Sequence, residues 1–195
     1  DFALEGVIVS CGATIEWLKN ELQLFASSTE TEEMALSIQD NAGVYIVPAF
    51  SGLGSPYWQP DRKASIVGLT FGSTKNHIVR AALETIPYQI KDVIVAMEKD
   101  ANISLQTLMI DGGITANTFV VQFLTDLLNK AVNTIQMPDV SALGAAYLAG
   151  LKAKVFTSLK QLTELNQNKK TFLPQSNVAV VLQGYEGWKK VINTI

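Results

Sequence analysis

The chain has 195 residues, of which 48% are hydrophobic and 17% charged, with a formal net charge of −3. That length supports one sizeable core, and the balance is that of a globular protein rather than a disordered or nucleic-acid-binding one. A single cysteine, Cys11, excludes an internal disulfide or a multi-cysteine zinc site, and no apolar run reaches the length of a membrane span.

Residues 3–10 form an apolar, β-rich run, and a strand is expected over 5–10. Gly12 ends it, and Ile15, Trp17, Leu18, Leu22 and Phe25 continue at mostly helical spacing. Cys11, inside the apolar run, reads as a buried, inert thiol. The polar stretch 27–41 holds Met34, Leu36 and Ile38, enough for a short helix. A second strand is expected over 44–50 and a third over 65–71. The loop between them has two prolines and two glycines within 51–63, too many for a regular element. With no long helix joining these two strands, antiparallel pairing is expected. Tyr57 and Trp58 in the loop read as packed anchors.

The longest helical pattern is 75–99, where Ile78, Ala82, Ile86, Ile90, Val93 and Met97 make one apolar stripe. Pro87 removes one backbone hydrogen bond from it and sets a kink. His77, the only histidine, stands near its start and reads as a capping or packing group. A βαβα run follows: strand 105–110, helix 116–129, strand 132–135, helix 141–152. Connections of this length suit parallel strands. In the last of these helices Ala142, Gly144, Ala145, Ala146, Ala149 and Gly150 permit close packing against a neighbour. Residues 157–176 read as loop with a short helix, and 178–193 as a final helix. The strands together predict one mixed sheet with helices on both faces.

The chemistry-bearing signal is Leu108-Met109-Ile110-Asp111-Gly112-Gly113-Ile114-Thr115-Ala116-Asn117, a strand running into a double glycine and then a helix. Glycine admits backbone angles other residues resist and lets a ligand approach the main chain. A helix N-terminus carries unpaired N–H groups and partial positive charge, which suits phosphate or a polar ring edge. A plain structural turn is the competing reading. Val9-Ser10-Cys11-Gly12-Ala13-Thr14 repeats the pattern. Two such junctions fit a cleft that holds a nucleotide from two sides. No P-loop, no GxGxxG and no spaced acid–base pair is present.

Taken in order, several segments resemble the C-terminal domain of the FGGY carbohydrate kinases, and within that family the glycerol kinases. They are Ala3-Leu4-Glu5-Gly6, Gly12-Ala13-Thr14-Ile15-Glu16-Trp17-Leu18, the loop from Val47 to Trp58, Ala64 to Leu69 with His77-Ile78 and Ala81 to Glu84, Asp111 to Asn117, and Ala142 to Gly150. The resemblance implies an α/β, actin-like ATPase (ribonuclease H-like) domain covering 1–195. It would be the nucleotide-side half of a two-domain kinase whose N-terminal domain carries the catalytic aspartate, the substrate hydroxyl contacts and most magnesium contacts. It further implies ATP and Mg2+ as cofactors, with Gly12 meeting phosphate through its backbone, position 16 contributing to the nucleotide site, and Gly113 and Asn117 holding the adenosine end. The cofactor-binding set is therefore Gly12, Glu16, Gly113 and Asn117, with no catalytic or metal-ligating residue in this chain.

At position 16 the family's glutamine is replaced by Glu16, whose carboxylate repels a triphosphate where an amide would donate to it. Phe71, Pro87 and Gln59 also depart from the pattern, and 172–186 does not match the segment through which some bacterial relatives are inhibited by a sugar-transport protein. The resemblance implies phosphoryl transfer from ATP to a polyol hydroxyl, glycerol first. Another polyol or sugar such as xylulose, or a non-catalytic actin-like nucleotide-binding module, are the alternatives. Expected partners are the N-terminal domain of the same polypeptide, a small polyol and a second copy of the enzyme, with no nucleic acid or membrane. The opening carries no basic region and cleavage site, so a cytoplasmic setting is expected, and its start without Met suggests a piece of a longer protein.

Overall fold

The computed structural model describes residues 3–135, 139–165, 169–175 and 178–194. Seven helices and five strands are placed among them: α1 (Gly12–Asn20), α2 (Glu30–Leu36), β1 (Tyr45–Val47), β2 (Ser65–Val67), α3 (Lys75–Ala101), β3 (Leu108–Ile110), α4 (Thr118–Leu128), β4 (Val132–Ile135), α5 (Val140–Lys152), α6 (Leu159–Leu165), β5 (Lys169–Phe172) and α7 (Val178–Thr194). A 3₁₀ turn, Gly113–Ala116, precedes α4.

The strands form two sheets rather than the single one expected from sequence. β1 and β2 pair antiparallel, with Ile46 opposite Ile66. The other sheet runs β3-β4-β5, its first pair parallel and its second antiparallel. Both expected pairings, antiparallel early and parallel in the βαβα run, are therefore present. β5 was read from sequence as loop. Its residues Lys169-Lys170-Thr171-Phe172 carry one large apolar side chain, Phe172, which is buried on the β4 side of the core. The remainder of that 157–176 reading at 166–168 and 176 lies outside the described residues.

The strand expected over 5–10 is absent, since residues 3–10 have no ladder partner among the described residues. A strand is defined by its inter-strand hydrogen bonds, and β propensity cannot supply the second strand.

Helix α3 organises the chain. Its buried face runs from Val79 to Val93 and packs against α2, α4, β1 and α1. His77 has the capping role read from sequence: its Nδ1 accepts from the Thr74 backbone N–H at 3.0 Å. The helix continues across the buried Pro87 as one element. Two polar clusters pin it to its neighbours. Glu84 accepts from Arg80 Nε at 2.7 Å and from Asn41 Nδ2 at 2.8 Å. Burial pushes the Glu84 carboxyl above its usual range against the pull of Arg80. Asp92 accepts from Tyr57 Oη at 2.6 Å, from Trp188 Nε1 at 2.8 Å, and from Tyr185 Oη. These three donors tie the 51–63 loop and α7 to α3. Tyr57 is thus the anchor expected, whereas Trp58 is 72% exposed.

Helix α5 corrects the expectation of tight packing: none of its residues is buried. A Cβ on Gly144 would meet nothing within 4 Å, whereas the Phe156 ring blocks the space a Cβ on Gly150 would need.

Candidate functional site

The two glycine junctions meet. A cavity of about 700 Å3 is lined by Cys11, Gly12 and Glu16 from the start of α1 and by Gly113, Ile114, Ala116 and Asn117 from the 3₁₀ turn and its end. All four residues assigned to cofactor binding from the sequence thus share one space, although they come from positions about a hundred residues apart.

The α1 side offers main chain. Cys11 stands at the N-cap without a side-chain cap, and no acidic residue occupies the first turn. No side chain caps the helix, and of its first-turn N–H groups that of Thr14 donates to the Cys11 carbonyl at 3.1 Å. A Cβ built on Gly12 would meet nothing within 4 Å. The thiol of Cys11, read from sequence as buried, is half-buried and lines the cavity, and burial pushes its pKa up.

The opposite wall is set by backbone strain. Gly112 has φ 94° and ψ 176°, a region open only to glycine, and it turns the chain from β3 into the 3₁₀ turn. The sequence reading singled out Gly113, yet Gly112 carries the conformational demand. Gly113 needs no positive φ, and a Cβ on it would likewise meet nothing within 4 Å. The absence of a side chain at Gly12 and Gly113 therefore keeps the cavity open rather than relieving a clash inside the protein.

Asn117 is the N-cap of α4. Its Oδ1 accepts from Val120 N–H at 3.2 Å and its Nδ2 donates to Thr31 Oγ1 at 3.2 Å. The amide is thus committed to protein groups at both ends. The sequence placed this residue in the first helical turn with its amide free to reach ligand; the cap geometry, φ −90° and ψ 101°, puts it just outside the helix.

The wall formed by α2 was missed. Ser28, Thr29, Thr31 and Glu32 line the cavity. Thr31 Oγ1 donates to the Ser28 carbonyl at 2.6 Å, and Glu32 Oε2 accepts from Thr118 N–H at 2.9 Å. The second contact meets one of the orphan amides of α4. A run of Ser, Thr and Glu reads as a solvated helix start, and nothing local marks it as a cavity wall.

Glu16 is half-exposed, 4.0 Å from Lys19 across one helical turn. Glu16 and Glu32 are the carboxylates of the lining, which has no Lys, Arg or His. Phosphates placed here would depend on backbone N–H groups and on charge from outside the lining. Gly12 and Gly113 leave their parts of the wall free of side chains, which is the room that a nucleotide would need. For Mg2+, no group of three or more His, Cys, Asp or Glu able to hold a metal exists among the described residues.

A second cavity of about 1170 Å3 adjoins the first through Glu32 and is lined by Arg80, Glu84, Phe119, Asp126 and Lys170 among others. It is larger, but it includes none of the four assigned residues and no glycine junction, and its Arg80 and Glu84 are paired with each other.

Residues 1–153 match the profile of the FGGY family of carbohydrate kinases, C-terminal domain. The chain belongs to that family. Glycerol kinases from Pasteurella multocida and Thermoanaerobacter sp. are 46% and 47% identical over 191 and 193 residues. Each alignment covers 98% of this chain but only 38% and 39% of the relative. The chain therefore spans about two-fifths of the length of these FGGY relatives. Among solved structures, the Plasmodium falciparum glycerol kinase with ADP superposes with a TM-score of 0.86 at 33% identity, covering 95% of this chain and 37% of that one. A xylulose kinase from Lactobacillus acidophilus shares the fold, with a TM-score of 0.84 at 21% identity. The FGGY assignment confirms the α/β, actin-like class expected from the sequence, and the FGGY chain carries a mixed β3-β4-β5 sheet flanked by helices.

Proposed function

We propose that this chain is the nucleotide-side domain of an ATP-dependent glycerol kinase, and that Gly12, Glu16, Gly113 and Asn117 border its nucleotide site. The observation that carries the reading is the shared cavity: two glycine junctions, remote in sequence, open into one space beside the uncapped start of α1. That the relatives are glycerol kinases, one of them solved with ADP, supports nucleotide at this cavity and glycerol as acceptor.

Phosphoryl transfer rests mainly on positioning and charge stabilisation. Here α1 presents main-chain N–H groups to phosphate, and the Gly112–Gly113 turn leaves room for the nucleoside. The lining has carboxylates but no cation, so Mg2+ and the base that deprotonates the substrate hydroxyl fall to the remainder of the polypeptide. The lone chain then binds nucleotide without turning it over. Its ATP requirement supports a cytoplasmic setting.

The test is ATP-dependent phosphorylation of a polyol and sugar panel by the full-length polypeptide, beside the 195-residue chain. The expected result is glycerol 3-phosphate from the full-length polypeptide and no turnover by the chain alone. Preference for xylulose, or turnover by the chain alone, would contradict the assignment.

A further inference from the structure

The hydrogen bonds around Asn117 leave its amide one orientation. The Val120 N–H can only donate, so its 3.2 Å contact requires the carbonyl oxygen of Asn117, Oδ1. The other end of the amide meets Thr31 Oγ1 at 3.2 Å. A threonine hydroxyl has a single proton, and Thr31 gives it to the Ser28 carbonyl at 2.6 Å. Toward residue 117 this hydroxyl is therefore an acceptor and requires the NH2 end. Val120 fixes which end of the amide is which, and Thr31 fixes where the NH2 group lies. Thr31 is 1% exposed, so water does not compete for its proton.

The supports of this relay are themselves held. Glu32 Oε2 accepts from the Thr118 N–H at 2.9 Å and ties the start of α4 to α2. At the far end of α2, Arg80 Nη1 donates to the carbonyls of Ala35 and Ile38 at 3.0 and 2.6 Å. The same guanidinium lies over the ring of Phe119, the second residue of α4, at 5.2 Å from its centroid. One side chain from α3 thus grips both α2 and α4. An amide NH2 group has two N–H donors. One goes to Thr31, which leaves the second for a ligand in the cavity that Asn117 lines.

We infer that Thr31 is a positioning residue for the nucleotide: the relay from Asn117 through Thr31 to the Ser28 carbonyl aims one N–H of Asn117 at an acceptor on the nucleoside, and Glu32 keeps that N–H in place by holding the start of α4. The inference rests on the reading of the smaller cavity as the nucleotide site. Thr31 acts through Asn117 rather than on the ligand, since its one proton is taken by Ser28. With Val120 alone the amide is held at one point and swings about it; with Thr31 it is held at two. The nucleotide then meets a donor whose direction is set before it arrives, which lowers the ordering cost of binding.

ADP binding and steady-state kinetics of the full-length polypeptide test it. Thr31→Val keeps the shape of the side chain and removes the hydroxyl. It should raise the Kd for ADP and the KM for ATP together by at least about fivefold, because both ligands share the nucleoside, and leave kcat and the KM for glycerol within about twofold. Thr31→Ser keeps the hydroxyl and should restore both constants. A merely structural role would lower the folded fraction, and kcat with it, at unchanged KM. On an Asn117→Ala background, Thr31→Val should add nothing to the Kd for ADP. A second arm uses Glu32, which is only partly buried. Glu32→Ala and Glu32→Gln both remove the charge, but only Glu32→Gln keeps an acceptor for the Thr118 N–H, so the Glu32→Ala protein should bind ADP about two- to fivefold more weakly than the Glu32→Gln protein. Unchanged ADP affinity in folded Thr31→Val, no recovery in Thr31→Ser, or equal binding by the two Glu32 variants would overturn the inference. Gly113→Val separates the two readings: if it weakens ADP and Thr31→Val does not, only the positioning role falls, and if neither weakens ADP, the nucleotide reading of the cavity falls with it.

Discussion

The amide of Asn117 donates to the hydroxyl of Thr31 across 3.2 Å, joining two walls of the cavity from residues 86 positions apart. With its Oδ1 capping α4 at Val120, Asn117 holds that helix start against α2. Asn117→Ala should cost about 1 kcal/mol of cap stability, visible as a lower melting temperature, together with a raised KM for ATP. Asn117→Asp keeps an acceptor for the Val120 N–H and suits the helix dipole. It sets a carboxylate against a Thr31 hydroxyl that already donates to Ser28. Stability should return with Asp while the KM for ATP stays high. An Asn117→Ala protein with unchanged melting and a raised KM would show that the amide serves the ligand alone.

The adjacent glycines should separate in their effects. Gly112→Ala forces an L side chain to φ 94° and should cost about 1–3 kcal/mol of stability. Gly113→Val meets no protein atom at its Cβ, so the fold should persist by circular dichroism. Its side chain would enter the cavity and raise the KM for ATP at least about tenfold, roughly 1.4 kcal/mol. A folded Gly113→Val enzyme with normal ATP kinetics would return this turn to a purely structural role.

Glu16 adds negative charge to a cavity with no cation in its lining. Glu16→Gln removes that charge and restores a donor. For a half-exposed group the gain is modest, and the KM for ATP should fall about two- to fivefold, within the range of exposed charge pairs. The KM for glycerol should not move. A rise in the KM for ATP would show instead that the carboxylate accepts a hydrogen bond from the nucleotide.

Burial is the leading cause that raises the pKa of Tyr57, Tyr88 and Tyr185, with Asp92 adding to it at Tyr57 and Tyr185 and Glu84 at Tyr88. These phenols keep their protons when folded and lose them near the ordinary value of about 10 when unfolded. The unfolded state then binds fewer protons, so the contribution is complete below pH about 10 and declines as pH rises beyond it. Thermal melting between pH 9 and 11.5 should show this decline. Tyr57→Phe should reduce the protons lost on unfolding by up to one. An unchanged slope in that variant would mean that Tyr57 ionises equally in both states.

Helical spacing made α3 legible, since Ile78, Ala82, Ile86 and Ile90 recur every four residues, and Gly12 and Gly113 marked the two junctions before their meeting was visible. What sequence could not supply was the partner of each surface. Residues 3–10 have the composition of a strand but no ladder partner among the described residues, and α5 has the composition of a packed helix but buries none of its residues. The contribution of α2 was hidden for another reason. Thr31 and Glu32 act on residues 117 and 118, and no local pattern encodes a contact across that distance. Gly112 was overshadowed by its neighbour because a double glycine does not show which residue takes the positive φ.

The most direct measurement is photolabelling of the full-length polypeptide with 8-azido-ATP, with ADP as competitor and the labelled peptides mapped. The account requires ADP-sensitive label on the peptides that contain residues 11–16, 28–32 or 112–117, which line the smaller cavity. Label competed by ADP but confined to peptides around Arg80, Asp126 or Lys170, in the larger cavity, would contradict it.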